Sequence, residues 1–269
     1  MARAPAQPDL IRPDWPAPAS VRAFATTRAG GCSQGVYTSL NLGDHVGDDP
    51  AAVQHNRHHL RQTLDLPAEP LWLQQVHGIV VADAATAVPG MSADAIIADR
   101  AGPACVIMTA DCLPVLFCNA AGTRVAAAHA GWRGLAAGVL EATVTALVGS
   151  GASPATLMAW IGPAISAAAY EVGSEVREAF LAVDPAAGSG FSANARGRWQ
   201  LDLVAIARRR LAAVGVQRVY GGTLCTAGDP LRFFSHRRDG TCGRQATLIW
   251  INAPADRKPD ASAPLGRAG

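Results

Sequence analysis

Short apolar runs separated by polar turns dominate most of the chain. Runs of five to seven residues rich in Val, Ile, Leu and Ala have the length and composition of buried strands. We predict strands at VRAFATT (21–27), LWLQQV (71–76), IVVAD (79–83), DAIIAD (94–99), ACVIMTA (104–110), PVLFC (114–118) and RVAAAHA (124–130). Three more strands are predicted near 156–161, 216–220 and 246–251.

Four segments instead repeat their apolar positions with the period of a helix. The first begins at Pro50, after an aspartate that can cap it, and continues through about residue 65. The other predicted helices cover 134–149, 173–183 and 202–214. Because single helices interrupt groups of strands, the order predicts an α+β fold with mixed sheets rather than a regular alternation of strands and helices.

The remaining segments differ from these elements in composition. The Gly-rich stretch 28–49 predicts a long loop, and loops of that length usually carry function or are disordered. Residues 1–19 and 253–269 contain much Pro and Ala and few large apolar side chains, so we predict a disordered N-terminal arm and a disordered C-terminal tail. A single catalytic domain is expected to cover 20–252.

Composition and charge exclude several classes of protein. The 23 basic and 21 acidic residues are spread along the chain and give a net charge of +2, which argues against a nucleic-acid partner. No apolar run approaches the roughly 18 residues of a membrane span, and residues 1–20 lack the apolar middle of a signal peptide. We therefore predict a cytoplasmic protein that does not act at a membrane.

Cysteine and lysine usage narrows the chemistry further. The six cysteines lie mostly within apolar runs, so we expect free thiols in a reducing compartment. The only lysine is Lys258, in the C-terminal tail, which effectively excludes Schiff-base chemistry and a phosphate-loop lysine. Every cation in an active site is then an arginine or a metal ion.

Two histidines and one cysteine stand where predicted strands give way to loops: His77, Cys112 and His129. Two imidazoles and a thiolate suit zinc, and three protein ligands leave a fourth position open, as in catalytic sites. The spacings of 35 and 17 residues are not those of a zinc finger. Residue types alone leave two alternatives open, a buried core thiol or a nucleophilic Cys112 with His129 as its base. We expect Cys105 and Cys118 to be packing residues.

Six motifs follow one another between residues 21 and 252. They are QQVHG (74–78), SADAIIAD (92–99), TADCLPVLF (109–117), AAAHAGWRG (126–134), IGPAISAAAYEVG (161–173) and FFSHRRDGTCGRQATLIW (233–250). As a set they resemble the YfiH family, whose members are also described as laccase-domain or multicopper polyphenol oxidase-like proteins.

The resemblance implies a single-domain α/β/β/α layered sandwich related to the catalytic domain of cytotoxic necrotizing factor toxins. It also implies zinc bound by His77, Cys112 and His129, and a purine nucleoside phosphorylase that deaminates adenosine as well. Phosphorolysis would convert adenosine, inosine or guanosine, with methylthioadenosine as a further candidate, and phosphate to free base and ribose 1-phosphate. Water activated by the metal would account for deamination at C6 of adenine.

The laccase description can be tested against the histidines. A multicopper oxidase needs closely paired His-x-His ligands for a trinuclear cluster. This chain has seven histidines and no His-x-His pair, and three of the seven lie in the first predicted helix. Four-copper chemistry is therefore not expected, although a single copper ion suits the same three ligands as zinc. A copper-dependent polyphenol oxidase remains a secondary alternative.

Arginine side chains are the expected phosphate ligands, because their planar fork matches the anion. The candidates for binding substrate or phosphate are Arg28, Arg57, Arg133, His236, Arg237 and Arg238. Each has the alternative role of a surface or ion-pairing residue. Asp94 and Asp111 are candidates to orient a ligand imidazole, and we expect Asp111 to do so because it adjoins Cys112. The expected catalytic set is Cys112, His129 and Asp111.

Three functions remain open at this point. The first is a zinc-dependent purine nucleoside phosphorylase and adenosine deaminase, acting as a monomer or small homo-oligomer. The second is a cysteine hydrolase or amidase in which Cys112 attacks and His129 serves as base. The third is a non-enzymatic zinc-binding protein. Metal content together with the reactivity of Cys112 distinguishes the first two.

Overall fold

The computed structural model describes residues 7–252, whose strands form three sheets. The strands are β1 Leu10–Ile11, β2 Val21–Thr26, β3 Val81–Asp83, β4 Ala95–Ala98, β5 Cys105–Thr109, β6 Leu113–Asn119, β7 Val125–Ala130, β8 Leu157–Ile161, β9 Glu171–Val172, β10 Phe191–Ala193, β11 Trp199–Leu201, β12 Arg218–Gly221 and β13 Gln245–Ile251. The α-helices are α1 Pro50–Leu64, α2 Trp132–Ala137, α3 Val139–Gly149, α4 Ser174–Val183, α5 Leu203–Ala213 and α6 His236–Asp239.

Two of the sheets pack face to face. One has the strand order β1-β2-β13-β5 and is antiparallel throughout, and the other has the order β12-β8-β6-β7-β4-β3 with both parallel and antiparallel pairs. A buried apolar cluster fills the space between them. A second cluster lies between the six-stranded sheet and helices α2 to α5, and a third lies between the four-stranded sheet and α1. The α+β class and the α/β/β/α layering expected from the sequence are confirmed.

The apolar runs form strands because both faces of these sheets are covered. In β5, Cys105 and Ile107 face the other sheet, whereas Val106 and Met108 face the α1 layer. In β7, alternate residues from Val125 face the other sheet. His129 lies on that side of β7, because successive side chains of a strand alternate between its faces. The strand therefore directs an imidazole into the space where the two sheets meet.

The predicted helix near 50–65 is present as α1. Pro50 occupies its first turn, and the Asp49 carboxylate accepts a hydrogen bond from the Ala51 amide at 3.0 Å. The predicted helix 134–149, by contrast, is two helices, α2 and α3. Gly138 separates them with φ of +105°, a left-handed conformation that ends a helix and is accessible to glycine.

The predicted strand LWLQQV (71–76) is wrong. Its main chain makes only isolated bridges, from Leu71 to Cys105 and from Gln74 to Ser92. The side chain of Gln75 instead donates to the Met108 carbonyl and accepts from the Met108 amide, each at 2.8 Å. A side-chain amide thus takes the place that a neighbouring strand would occupy at β5.

The N-terminal arm is partly ordered, which the composition did not predict. Leu10–Ile11 form β1 and pair with Thr26 and Ala25 of β2, so the expected disorder of 1–19 is wrong for these residues. Residues 1–6 and the tail 253–269 lie outside the described residues. A small sheet of order β10-β11-β9 was also not predicted, because its strands of two or three residues are too short to show a period. In the described part of the chain, no helix has the length and apolar character needed to cross a bilayer.

Candidate metal centre and adjoining cavity

Three separate segments bring His77, Cys112 and His129 together. His77 lies in a turn with φ of +61°, Cys112 lies in the loop between β5 and β6, and His129 lies near the end of β7. Their ligand atoms are all within 4.8 Å of one another. The Cys112 Sγ is 3.8 Å from the His77 Nε2, and the two imidazole rings meet edge to face with centroids 4.7 Å apart. The three predicted metal ligands thus form one cluster.

The fully buried carboxylate of Asp94 holds both histidines of the cluster. Its Oδ1 accepts from His129 Nδ1 at 2.8 Å and from the His77 amide at 2.9 Å, and its Oδ2 accepts from the Gly78 amide at 2.7 Å. Burial would raise the pKa of Asp94, but these hydrogen bonds lower it, so the group is a carboxylate. With Nδ1 of His129 bonded to Asp94, its Nε2 is the nitrogen left for a metal.

Asp111 acts elsewhere, which corrects the expectation that it orients an imidazole. Its carboxylate accepts from the Thr226 hydroxyl at 2.6 Å, the Ser235 hydroxyl at 3.0 Å and the Arg237 amide at 2.6 Å. Adjacency to Cys112 was misleading, because Asp111 has φ of +93° and its side chain turns to the segments at 226 and 235–237. Asp111 fixes the position of α6 beside the metal cluster.

The electrostatics of the cluster favour a charged pair. Burial would raise the pKa of the Cys112 thiol, but the positive charge of His129 and hydrogen bonds with both imidazoles lower it. Burial would lower the pKa of His129, whereas the Cys112 thiolate and the bond to Asp94 raise it. The thiolate is the state of cysteine that binds metal. Burial instead raises the pKa of Cys105 and of Cys118 to about 12, as expected for packing residues, and all six cysteines are free thiols.

The donor set suits zinc, and the distance between two of its ligand atoms is near that of a zinc site. A tetrahedral zinc ion with ordinary Zn–N and Zn–S bonds separates the nitrogen and sulfur by about 3.5 Å, close to the 3.8 Å between His77 and Cys112. Gly131 leaves space on one side, since a Cβ there would lie 2.7 Å from His77 Cδ2 and 3.0 Å from Cys112 Sγ. Two imidazoles and a thiolate also suit copper, so the ligands alone do not select the metal.

A cavity of about 190 Å³ opens beside Cys112. Its apolar wall is formed by Ala110, Trp132, Ile165 and Leu203, and its polar wall by Asp111, Tyr170, His236 and Arg237. Neither Trp132 nor Tyr170 was predicted from the sequence as a site residue. Both stand in motifs that carry the family resemblance, AAAHAGWRG and IGPAISAAAYEVG, so the motifs contained the only signal for them.

Of the predicted arginines, Arg237 lines this cavity, and Arg133 lies close enough for its charge to act on the Tyr170 hydroxyl. The Arg237 guanidinium lies 5.0 Å from the centroid of the Tyr170 ring and donates to the Glu171 carbonyl at 2.7 Å. Arg133 is exposed at the start of α2, with its guanidinium 4.5 Å from the Trp132 ring centroid. Within residues 7–252 that guanidinium has no hydrogen bond or ion pair, so it is available to an anion.

Other candidate residues hold loops together. Arg28 donates to the carbonyls of Thr38 and Pro230, at 2.9 and 3.2 Å, and so joins the Gly-rich loop to a second loop. Arg238 pairs with Asp239 and donates to the Phe233 carbonyl at 2.8 Å.

Arg57 and His236 each line a cavity, but not the same one. Arg57 lies on α1, pairs with Asp44 at 3.3 Å and stacks on Trp72, lining a separate cavity. His236 is exposed at the cavity beside Cys112, and its Nδ1 is 2.8 Å from the Gly240 carbonyl. The structure therefore brings His236 and Arg237 to the cavity, places Arg133 near Tyr170 and leaves Arg57 outside the site.

Comparison with known proteins extends over nearly the whole chain. A family model described as multi-copper polyphenol oxidoreductase laccase matches residues 22–252. A Pseudomonas aeruginosa protein named purine nucleoside phosphorylase is 54% identical over 242 residues, covering 90% of this chain and 98% of that protein. An Escherichia coli protein named purine nucleoside phosphorylase YfiH is 51% identical over 244 residues, with the same coverage. The crystal structure of a Neisseria meningitidis protein of family DUF152 has a TM-score of 0.87 and 52% identity, covering 91% of this chain and 99% of that one.

Proposed function

The chain belongs to the YfiH family, whose family model carries the laccase description, and from this we propose that it is a zinc-dependent purine nucleoside phosphorylase that also deaminates adenosine. The observation that carries the proposal is the cluster of His77, Cys112 and His129, whose Cys112 lines a cavity together with Arg237. The names of the relatives supply the reaction class.

Different residues in and near the cavity would bind the base and the phosphate. The planar indole of Trp132 and the apolar side chains of Ile165 and Leu203 suit a purine ring, which buries its faces against apolar groups. Arg237 and Arg133 supply the positive charge that phosphate requires. A nucleoside whose base lies on the apolar wall would then present its anomeric carbon to phosphate held by these two arginines beside Cys112.

When bound, zinc supplies Lewis-acid polarisation and activates water, which is the chemistry that deamination at C6 of adenine requires. Asp94 keeps the imidazole of His129 and the backbone of His77 in place for this purpose. Deamination makes no use of phosphate. The two activities would therefore share the metal ligands and differ in their need for the arginines.

Four-copper chemistry has no support in the ligand geometry. All seven histidines lie in the described part of the chain, where the metal-competent cluster found is His77, Cys112 and His129. A trinuclear copper cluster needs several more histidines at short range. A single copper ion in this site is the form of the laccase hypothesis that the residues allow.

Phosphate dependence tests the proposal. Inosine incubated with the zinc-loaded enzyme should yield hypoxanthine and ribose 1-phosphate only when phosphate is present, whereas adenosine should give inosine without phosphate. Arg133→Ala should slow phosphorolysis by at least about tenfold and deamination by much less, because a charge-assisted contact is lost only from the phosphate complex. Arg100→Ala, which removes an exposed arginine paired with Asp99, is the matched control. Release of hypoxanthine at equal rates with and without phosphate, together with free ribose, would refute the proposal.

A cysteine hydrolase is the second candidate, because Cys112, His129 and Asp94 stand in the order of a nucleophile, a base and an orienting carboxylate. Metal content and alkylation separate the two. Protein purified without added metal should contain about one zinc per chain and protect Cys112 from iodoacetamide. Metal-free protein with rapidly alkylated Cys112, and full hydrolytic activity in chelator, would favour the hydrolase.

We place the protein in the cytoplasm as a monomer or small homo-oligomer. All six of its cysteines are free thiols, and this supports a reducing compartment. Purine nucleosides and phosphate are the proposed partners.

A further inference from the structure

Phosphorolysis leaves negative charge on the purine, and the enzyme must stabilise it. The bond from C1′ to N9 breaks with its electron pair on the base, while an oxygen of phosphate forms the new bond to C1′. A hydrogen-bond donor aimed at the ring nitrogen that accumulates this charge lowers the barrier. The identity of that donor rests on the proposed function and goes beyond it.

Most polar groups of the cavity are unsuited to this task. The Asp111 carboxylate accepts three hydrogen bonds and has no proton to donate. Cys112 belongs to the cluster of metal ligands. Arg237 donates from Nη1 to the Glu171 carbonyl, and the proposed function uses its remaining N–H groups for phosphate. His236 directs its Nδ1 to the Gly240 carbonyl, which makes Nε2 of a neutral ring an acceptor.

Tyr170 differs from these residues because its hydroxyl is unengaged. Within residues 7–252 the Tyr170 Oη has no hydrogen-bond partner, although the side chain is only partly exposed. It is the one hydroxyl among the residues that line the cavity. Burial, with the charges of Cys112 and Asp111, raises the pKa of Tyr170 to about 12, so the group remains a donor at neutral pH.

The ring of Tyr170 is also held in position. The Arg237 guanidinium lies over it at 5.0 Å and is itself tied to the carbonyl of the next residue, Glu171. The main chain of Tyr170 is fixed by a bond from its amide to the Ala167 carbonyl and by one from the Leu201 amide to its own carbonyl. A donor positioned in advance costs little reorganisation when charge develops.

We propose that Tyr170 is a catalytic residue of phosphorolysis, donating a hydrogen bond from its hydroxyl to the purine nitrogen on which negative charge develops. Tyr170 keeps its proton throughout. The departing base takes a proton from water, and the new phosphate monoester releases one, so protons balance. Deamination at C6 leaves the glycosidic bond intact and has no need of this contact.

The test uses Tyr170→Phe, which removes only the hydroxyl, and two nucleosides. Inosine departs as an anionic base, whereas 7-methylinosine departs as a neutral base because its N7 already carries a methyl group and positive charge. The single-turnover rate constant for phosphorolysis of inosine should fall about 100-fold, the loss seen when one preorganised donor is removed. The steady-state KM for inosine should stay within threefold of wild type. The rate with 7-methylinosine should stay within threefold, and Tyr220→Phe, the same change outside the cavity, should alter neither.

The outcomes separate failure of this inference from failure of the proposed function. Equal losses of Tyr170→Phe on both nucleosides, or no loss on inosine, would overturn the role of Tyr170. A selective loss on inosine in His236→Gln instead would assign the contact to His236. Zinc content and melting temperature of Tyr170→Phe should match wild type, which excludes a structural cause. Wild-type enzyme that releases base from neither nucleoside in phosphate would refute the proposed function itself.

Discussion

Replacing Gly131 by alanine should separate metal binding from folding. Gly131 has φ of −61° and ψ of 159°, an extended conformation that alanine adopts without strain. The new Cβ would lie 2.7 Å from His77 Cδ2, whereas two carbon atoms in contact prefer about 3.5–4.0 Å. The imidazole must therefore move by about 1 Å. Zinc tolerates deviations of only about 0.2 Å in its bond lengths.

The loop that carries His77 has little room to absorb this shift. The Asp94 carboxylate holds the amides of Val76, His77 and Gly78 at 3.2, 2.9 and 2.7 Å. We expect Gly131→Ala to weaken zinc binding by about 100-fold, the upper end of the effect of disturbing a ligand's support. The metal-free protein should retain its far-ultraviolet circular dichroism, because the clash involves a side chain that is open to solvent.

Competition against a chromogenic chelator measures the zinc affinity. Gly102→Ala is the matched control, since a Cβ at Gly102 has no neighbour within 4 Å and its φ is not positive. Zinc affinity of Gly131→Ala within threefold of Gly102→Ala would refute the described packing of His77, Cys112 and Gly131.

Two further substitutions test the surroundings of the cluster. Asp94→Asn keeps the side-chain volume but replaces one acceptor oxygen with an amide donor, so zinc affinity should fall about 10-fold to 100-fold. Hydrogen exchange of the backbone amides of 76–78, measured by mass spectrometry, should become faster. Unchanged affinity and exchange would show that Asp94 does not position the ligands. Cys118→Ala should cost about 1–2 kcal/mol of unfolding free energy in urea, because Cys118 is fully buried, yet keep one zinc per chain. Loss of zinc from this variant would mean that the thiol ligand is Cys118.

The long strands were predictable because burial of both faces leaves a continuous apolar run in the sequence. β5 and β13 have every residue buried, and the runs ACVIMTA and 246–251 identified them closely. LWLQQV has a similar composition but failed as a strand, because the side chain of Gln75 competes for the main chain of Met108. Such a long-range contact leaves no periodic signal.

The three candidate metal ligands were predictable from motifs, but the residues that hold them in place were not. His77, Cys112 and His129 were found through the family resemblance, since their spacing alone identifies no site. The exchange of roles between Asp94 and Asp111 could not be predicted, because adjacency along the chain does not reveal the direction of a side chain at positive φ. Tyr170 is nearly 60 residues beyond Cys112 in the sequence, yet both line the same cavity. Only the packing of the folded chain brings them together.

The wide separation of the three ligands has a consequence for the lifetime of the protein. Intervals of 35 and 17 residues mean that the unfolded chain holds no comparable arrangement of donors. An ion that binds only the folded chain adds to its stability in proportion to the logarithm of the ion's concentration, by about 2.7 kcal/mol at a hundredfold excess over Kd. Zinc at this site would thus act as a folding ligand. The supply of zinc in the cell would govern how much folded protein survives proteolysis as well as how much of it is active.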